Sequence, residues 1–135
     1  MSRVKKFKFI NLPIVIGDRA MEYHKLQPST SESSELIDLL VSAEDFEILS
    51  EKYEKKVLPY GTYVMDTAGI HYFVNWYSYV YGNFPTVTIK GKIVVDKPTL
   101  LLMMVFAAFD KKNKIPRILS KKCLANVAIV ANNLI

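Results

Sequence analysis

The apolar positions of this chain follow two periods. Between residues 60 and 95 they recur largely at every second position, the spacing of half-buried strands. Between residues 36 and 53, and again from residue 115, they recur at every third or fourth position, the spacing of helices. Residues 4–16 are rich in Val, Ile and Phe but broken by Asn11 and Pro13, which predicts a strand that Pro13 bends or confines to an edge. The segment KLQPSTSESS, residues 25–34, predicts a surface loop. Ser29 and Glu32 then fit a capping box, with Leu36, Leu39 and Leu40 as a helical stripe. A second start signal, SAED from Ser42, places acidic groups in a first turn, and Phe46, Leu49 and Tyr53 continue one face. Two short helices and one bent helix both fit this pattern.

Strand character resumes near Tyr60. YGTYVMD is followed by TAG, whose Gly69 suits the positive φ of a short hairpin turn. The next strand covers residues 70–81, and Gly82 and Asn83 turn it into a partner over residues 84–95. Asp96 is placed to cap a following helix with Pro98 in its first turn, and that helix carries the run LLLMMVFAAF. Pro116 opens a last helix reaching residue 132, with Ile115, Leu119, Cys123, Val127 and Ala131 at helical spacing. The expected fold is a single domain over residues 1–135 of the α+β class. Its sheet is expected to be antiparallel, a three-stranded meander plus an N-terminal strand, packed with several helices.

Pairing Tyr81 with Phe84 assigns every residue of the long hairpin to a face. One face carries Ile70, Tyr72, Val74 and Trp76 opposite Ile93, Ile89 and Val87, and reads as core. The other carries Phe73, Asn75, Tyr77, Tyr79 and Tyr81 opposite Lys92, Lys90, Thr88 and Thr86, and the preceding strand adds Tyr63 and Met65. Rings interleaved with lysines are what single-stranded nucleic acid requires: bases stack on rings for about 1–3 kcal/mol each, and ammonium groups neutralise phosphates. The expected function is non-catalytic binding of single-stranded DNA or RNA. Tyr63, Phe73, Tyr77, Tyr79 and Tyr81 would stack, and Lys90 and Lys92 would contact phosphate. A one-residue slip in register would exchange the two faces.

Charge reinforces this picture. The formal net charge is +5, yet eight of the thirteen acidic residues lie between Glu32 and Glu54, where Lys52 is the lone cation. The remainder holds 17 cations against 5 carboxylates, a polarity suited to a polyanion, with Arg3, Lys5, Lys6, Lys8 and Arg19 extending the basic part. The alternative reading is a protein–protein or homo-oligomeric assembly module. Tyr and Trp favour interfaces, and Val127, Ala128, Ile129, Val130 and Ala131 occupy more than one face of the last helix.

Composition narrows the rest. Half of the residues are hydrophobic, enough for a core without disulfides or metal. The single cysteine, Cys123, reads as a small buried side chain in a reducing compartment. The ten-residue run 100–109 falls short of the roughly 20 residues that span a bilayer, so an intracellular protein with no membrane partner is expected. No cofactor motif is present: KGKI lacks the glycine spacing and the Ser or Thr of a phosphate loop. A third reading, a metal-dependent nuclease, rests on Asp66, His71 and Asp96 meeting at one sheet edge, although a turn and a helix cap account for the two aspartates.

Overall fold

A computed structural model describes residues 8–26, 37–109, 127–128 and 131–132. The elements run β1 (Ile14–Ile16), α1 (Gly17–Tyr23), β2 (Asp38–Leu40), α2 (Ala43–Lys52), β3 (Lys56–Leu58), β4 (Gly61–Met65), β5 (His71–Trp76), β6 (Tyr79–Val80), β7 (Thr86–Ile89), β8 (Lys92–Val95) and α3 (Lys97–Phe109). Residues 127–128 and 131–132 are also helical. The strands form one eight-stranded sheet in the order β3-β4-β5-β2-β1-β8-β7, with β6 pairing β5.

The class is α+β, but the sheet is mixed, which corrects the antiparallel expectation. β1 runs parallel to β8 and β2 parallel to β5, while the other pairs are antiparallel. The reason lies in two short apolar runs. Ile14, Val15 and Ile16 are all buried, as are Val94 and Val95 beside them, and strands covered on both faces suit the middle of a sheet. Pro13 therefore precedes a central strand and does not mark an edge. Leu39 and Leu40 lie in β2 and not on a helix, since an apolar run this short has no period to distinguish the two. Leu36, the Ser29–Glu32 box and Cys123 lie outside the described residues.

The long hairpin is the second correction. Strand 70–81 does not pair with 84–95, because the chain turns earlier, at residues 77–78, and β6 folds back on β5 through Trp76↔Tyr79. Asn83 stitches the segment that follows: its side chain accepts from Val80 N–H at 2.9 Å and donates to the Ser78 carbonyl at 3.0 Å. The true partner of β8 is β7, joined by a two-residue turn in which Lys90 and Gly91 both have positive φ, 51° and 76°. This is the backbone that most hairpin sequences build with Asn-Gly.

Other local signals match their elements. β4 and β5 form the hairpin around Gly69, whose φ is +86°, and Asp66 N–H closes the loop on the Ile70 carbonyl at 3.1 Å. Asp96 Oδ1 accepts from Thr99 N–H at 2.9 Å at the start of α3. Ser42 caps α2 by accepting from Asp45 N–H at 3.2 Å.

Two apolar clusters sit on the two faces of the β4–β5–β2 part of the sheet. Adjacent residues alternate between them: Leu40 and Phe73 belong to one, Val41 and Tyr72 to the other. The larger cluster joins β1, β2 and β8 to Met21 of α1 and to Leu100, Met103 and Met104 of α3. The smaller one packs Phe46 and Leu49 of α2 onto Val64 and Tyr72.

A buried carboxylate fixes α2 to the N-terminal approach of β1. Asp45 is 0 % exposed, and its oxygens accept from Ile10 N–H (2.8 Å), Asn11 N–H (2.9 Å) and the Ser42 hydroxyl (3.1 Å). Removing such an acceptor leaves these partly buried donors unpaired, at a cost of about 1–3 kcal/mol for each one that water does not reach. Asp45→Asn, which turns an amide toward those donors, is expected to lower unfolding free energy by about 2–4 kcal/mol in a urea titration. Lys90→Asn, which relieves a left-handed lysine, is expected to raise it by about 0.5 kcal/mol.

Candidate functional site

The structure distributes the seven residues of the predicted binding face over separate environments. Phe73 is core, 5 % exposed, packed among Leu40, Met103 and their neighbours. Tyr63 is half-buried against it, with ring centroids 5.1 Å apart. Tyr77 occupies the β5–β6 turn with φ +55°, its N–H donating to the Tyr60 carbonyl at 2.7 Å. Tyr79 lies on β6 beside Phe84, ring centroids 5.6 Å apart. The Tyr81 hydroxyl donates to the Leu12 carbonyl at 2.7 Å. Lys90 forms the β7–β8 turn and Lys92 opens β8, both exposed. β2 and β1 stand between β5 and β8, so the lysines are not cross-strand neighbours of the tyrosines.

An irregularity in β5 explains the regrouping. The β4–β5 register shifts between Thr62 and Tyr63: Tyr63 pairs with Phe73, but Thr62 pairs with Asn75. The extra residue resets the alternation, so Trp76 arrives on the face of Phe73, in T-shaped contact at 5.5 Å. Gly61 permits this close approach, since a Cβ there would stand 2.5 Å from the Asn75 carbonyl. The rings then form a continuous chain. His71 touches Tyr63, Phe73 touches Trp76, Trp76 touches Tyr60 and Tyr77, and Tyr77 stacks on Phe106 of α3 at 5.7 Å with the planes 30° apart.

At the outer end of this chain the rings reach the surface. Leu102 and Phe106, one turn apart on α3, are 51 % and 45 % exposed. Phe106 rests on Tyr77 and lies 6.2 Å from the Tyr79 ring. The four residues that form this patch, Leu102, Phe106, Tyr77 and Tyr79, are apolar or aromatic. Its helical half is invisible to periodicity because the run 100–109 is apolar all round. The i, i+4 spacing of Leu102 and Phe106 is the one signal it leaves.

Asp66, His71 and Asp96 do not assemble a metal site. They share one end of the sheet, but β2 and β1 separate β5 from β8. Asp66 is committed locally: Oδ1 accepts from Ala68 and Ile70 N–H, both at 2.9 Å, and Oδ2 from the Tyr72 hydroxyl at 2.8 Å. Asp96 caps α3, and His71 Nδ1 faces Asp38 Oδ1 at 3.2 Å. Among the described residues no group of three or more His, Cys, Asp or Glu is placed to hold a metal ion. None of their helices is long and apolar enough to cross a membrane.

Compared with known proteins, the chain matches no family model, no curated protein and no solved structure. The geometry alone carries the functional reading.

Burial, reinforced by the hydrogen bond to Asp66 and its charge, pushes the Tyr72 phenol well above its ordinary value. Tyr60 and Tyr79 are raised too, chiefly by burial. A phenol raised in the folded state gives its full contribution below the unfolded value of about 10. Above it the unfolded chain ionises first, and stability falls as pH rises. Urea midpoints of the protein should therefore hold up to about pH 10 and fall as the pH rises above it. Tyr72→Phe should be less stable at neutral pH, having lost the bond to Asp66, yet show a shallower alkaline drop.

Proposed function

We propose that this protein is a non-catalytic assembly module that self-associates through the patch formed by Leu102, Phe106, Tyr77 and Tyr79. The observation that carries the reading is the exposure of Leu102 and Phe106 on consecutive turns of α3, backed by a stacked tyrosine. Apolar groups in such a position lose water contact when a partner covers them, at about 25 cal/mol per Å² of apolar area. The occupant is a second copy of this chain. Each copy carries a formal charge of +5, so two copies meet with less repulsion through uncharged side chains such as these four than through their lysines. Aromatic side chains are also the usual anchors of interfaces.

Binding of single-stranded nucleic acid draws less support from this arrangement. Phe73 is inside the core, the Tyr81 hydroxyl is engaged with backbone, and two strands part the lysines from the rings. It is the competing reading, and a parallel experiment tests it.

Sedimentation velocity over a hundredfold range of protein concentration, about 1–100 µM, is expected to show a concentration-dependent monomer–dimer equilibrium. Replacing Leu102 and Phe106 together by Glu should weaken it by about a hundredfold, equivalent to about 2.7 kcal/mol, with an unchanged circular dichroism spectrum. A monomer at every concentration, or a dimer indifferent to the double substitution, overturns the proposal. In parallel, fluorescence anisotropy of labelled single-stranded DNA and RNA tests the competing reading. Salt-sensitive binding that Lys90→Ala and Lys92→Ala reduce would favour it instead.

A further inference from the structure

A second feature lies on the other face of the sheet, away from the patch. Val15 pairs with Leu39 and Leu39 with Tyr72, so these three side chains form one row across β1, β2 and β5. They floor a cleft of about 810 Å³ that Ile93 of β8 also borders. Tyr53, at the end of α2, and Tyr23, at the end of α1, contribute to its walls. The volume falls in the range of about 300–1,000 Å³ typical of small-molecule sites, and the lining is largely apolar, as such sites are.

The polar groups of the cleft are unequal in sign. Among the described residues three cations line it, Arg19, Lys52 and Lys92, against one carboxylate, Asp66. Arg19 Nε lies 3.3 Å from Glu22 Oε2 and is therefore already partnered. Asp66 is spent as well, its two oxygens accepting from Ala68, Ile70 and Tyr72. Lys52 and Lys92 are exposed, and neither belongs to an ion pair among the described residues. Among the described residues the rim thus offers more positive charge than negative, above a floor of aliphatic and aromatic carbon.

From this complementarity we infer that the cleft binds an aliphatic carboxylate, its chain lying on the Val15–Leu39–Tyr72 row and its carboxylate held by Lys52 and Lys92. A chain of methylenes needs only apolar contact, worth about 0.8 kcal/mol for each CH₂ buried. A nucleotide or sugar of similar size would need many hydrogen-bonding partners, which this floor does not supply. Charge-assisted bonds from two ammonium groups account for selectivity toward the ionised head.

The test is isothermal titration calorimetry of the full chain with dodecanoate below its micelle concentration, beside dodecanol as the uncharged control. Dodecanoate is expected to bind one per chain with a Kd below about 100 µM, and dodecanol about tenfold more weakly. The Lys52→Glu, Lys92→Glu double variant substitutes exposed positions and should keep the fold. It should lose about tenfold in dodecanoate affinity while its dodecanol affinity holds. Methyl NMR shifts on adding dodecanoate should fall on Val15, Leu39 and Ile93. Three results would each overturn the inference: no heat with dodecanoate, equal affinity for acid and alcohol, or shifts confined to Leu102 and its neighbours. Because this cleft and the α3 patch are distinct surfaces, Leu102→Glu with Phe106→Glu should leave dodecanoate binding intact.

Discussion

Everything in this fold hangs on a three-residue strand paired along both edges. One edge of β1 bonds to β2 and so to β5, β4 and β3, and the other to β8 and so to β7. Among the described strands no other pairing connects these two groups, so Ile14, Val15 and Ile16 hold the sheet together. Their side chains answer that demand. All three are buried, because a strand in the middle of a sheet must offer carbon to both layers. Asp45 then anchors the chain entering β1 by taking the Ile10 and Asn11 N–H groups, which ties α2 to the central strand.

The two surfaces assigned a role follow from how the layers end. On one face Phe106 of α3 is left half in solvent on top of Tyr77. On the other, α2 covers β4 and β5 but leaves part of the Val15–Leu39–Tyr72 row open to a cleft. Each surface is a place where core-type side chains continue past the layer that would bury them. A buried aromatic network behind an exposed ring also holds that ring in one orientation, which lowers the entropy lost when a partner covers it.

Much of the local structure was legible in the residues. Ser42, Asp96 and Gly69 each announce a cap or turn through a mechanism confined to a few neighbours, and each sits where that mechanism requires. What escaped was non-local. Nothing near Leu39 says that it will pair with Val15 and Tyr72, since three apolar residues suit a helix turn as well as a strand. Turn chemistry misled in the same way. Gly82-Asn83 is the stronger hairpin signal, yet the two-residue turns fall at Tyr77-Ser78 and Lys90-Gly91, where tertiary pairing holds Tyr77 and Lys90 at positive φ. The added residue in β5 then moved Trp76 to the face of Phe73, so a face assignment built on strict alternation grouped the wrong rings. Leu102 and Phe106 were hidden by the uniformity of their own helix.

The pairing of Ile14 with Ile93 also bears on how the molecule is made. A chain emerging from the ribosome delivers β1, β2 and the β4–β5 hairpin first, and these can begin to associate while β8 is still being synthesised. Until residue 95 is free, β1 presents a bare row of amides and carbonyls beside three large apolar side chains, the kind of edge that recruits foreign strands. In the order of synthesis, then, the most central strand is complete well before the partner that covers its second edge, and the hairpin of β7 and β8 supplies that cover.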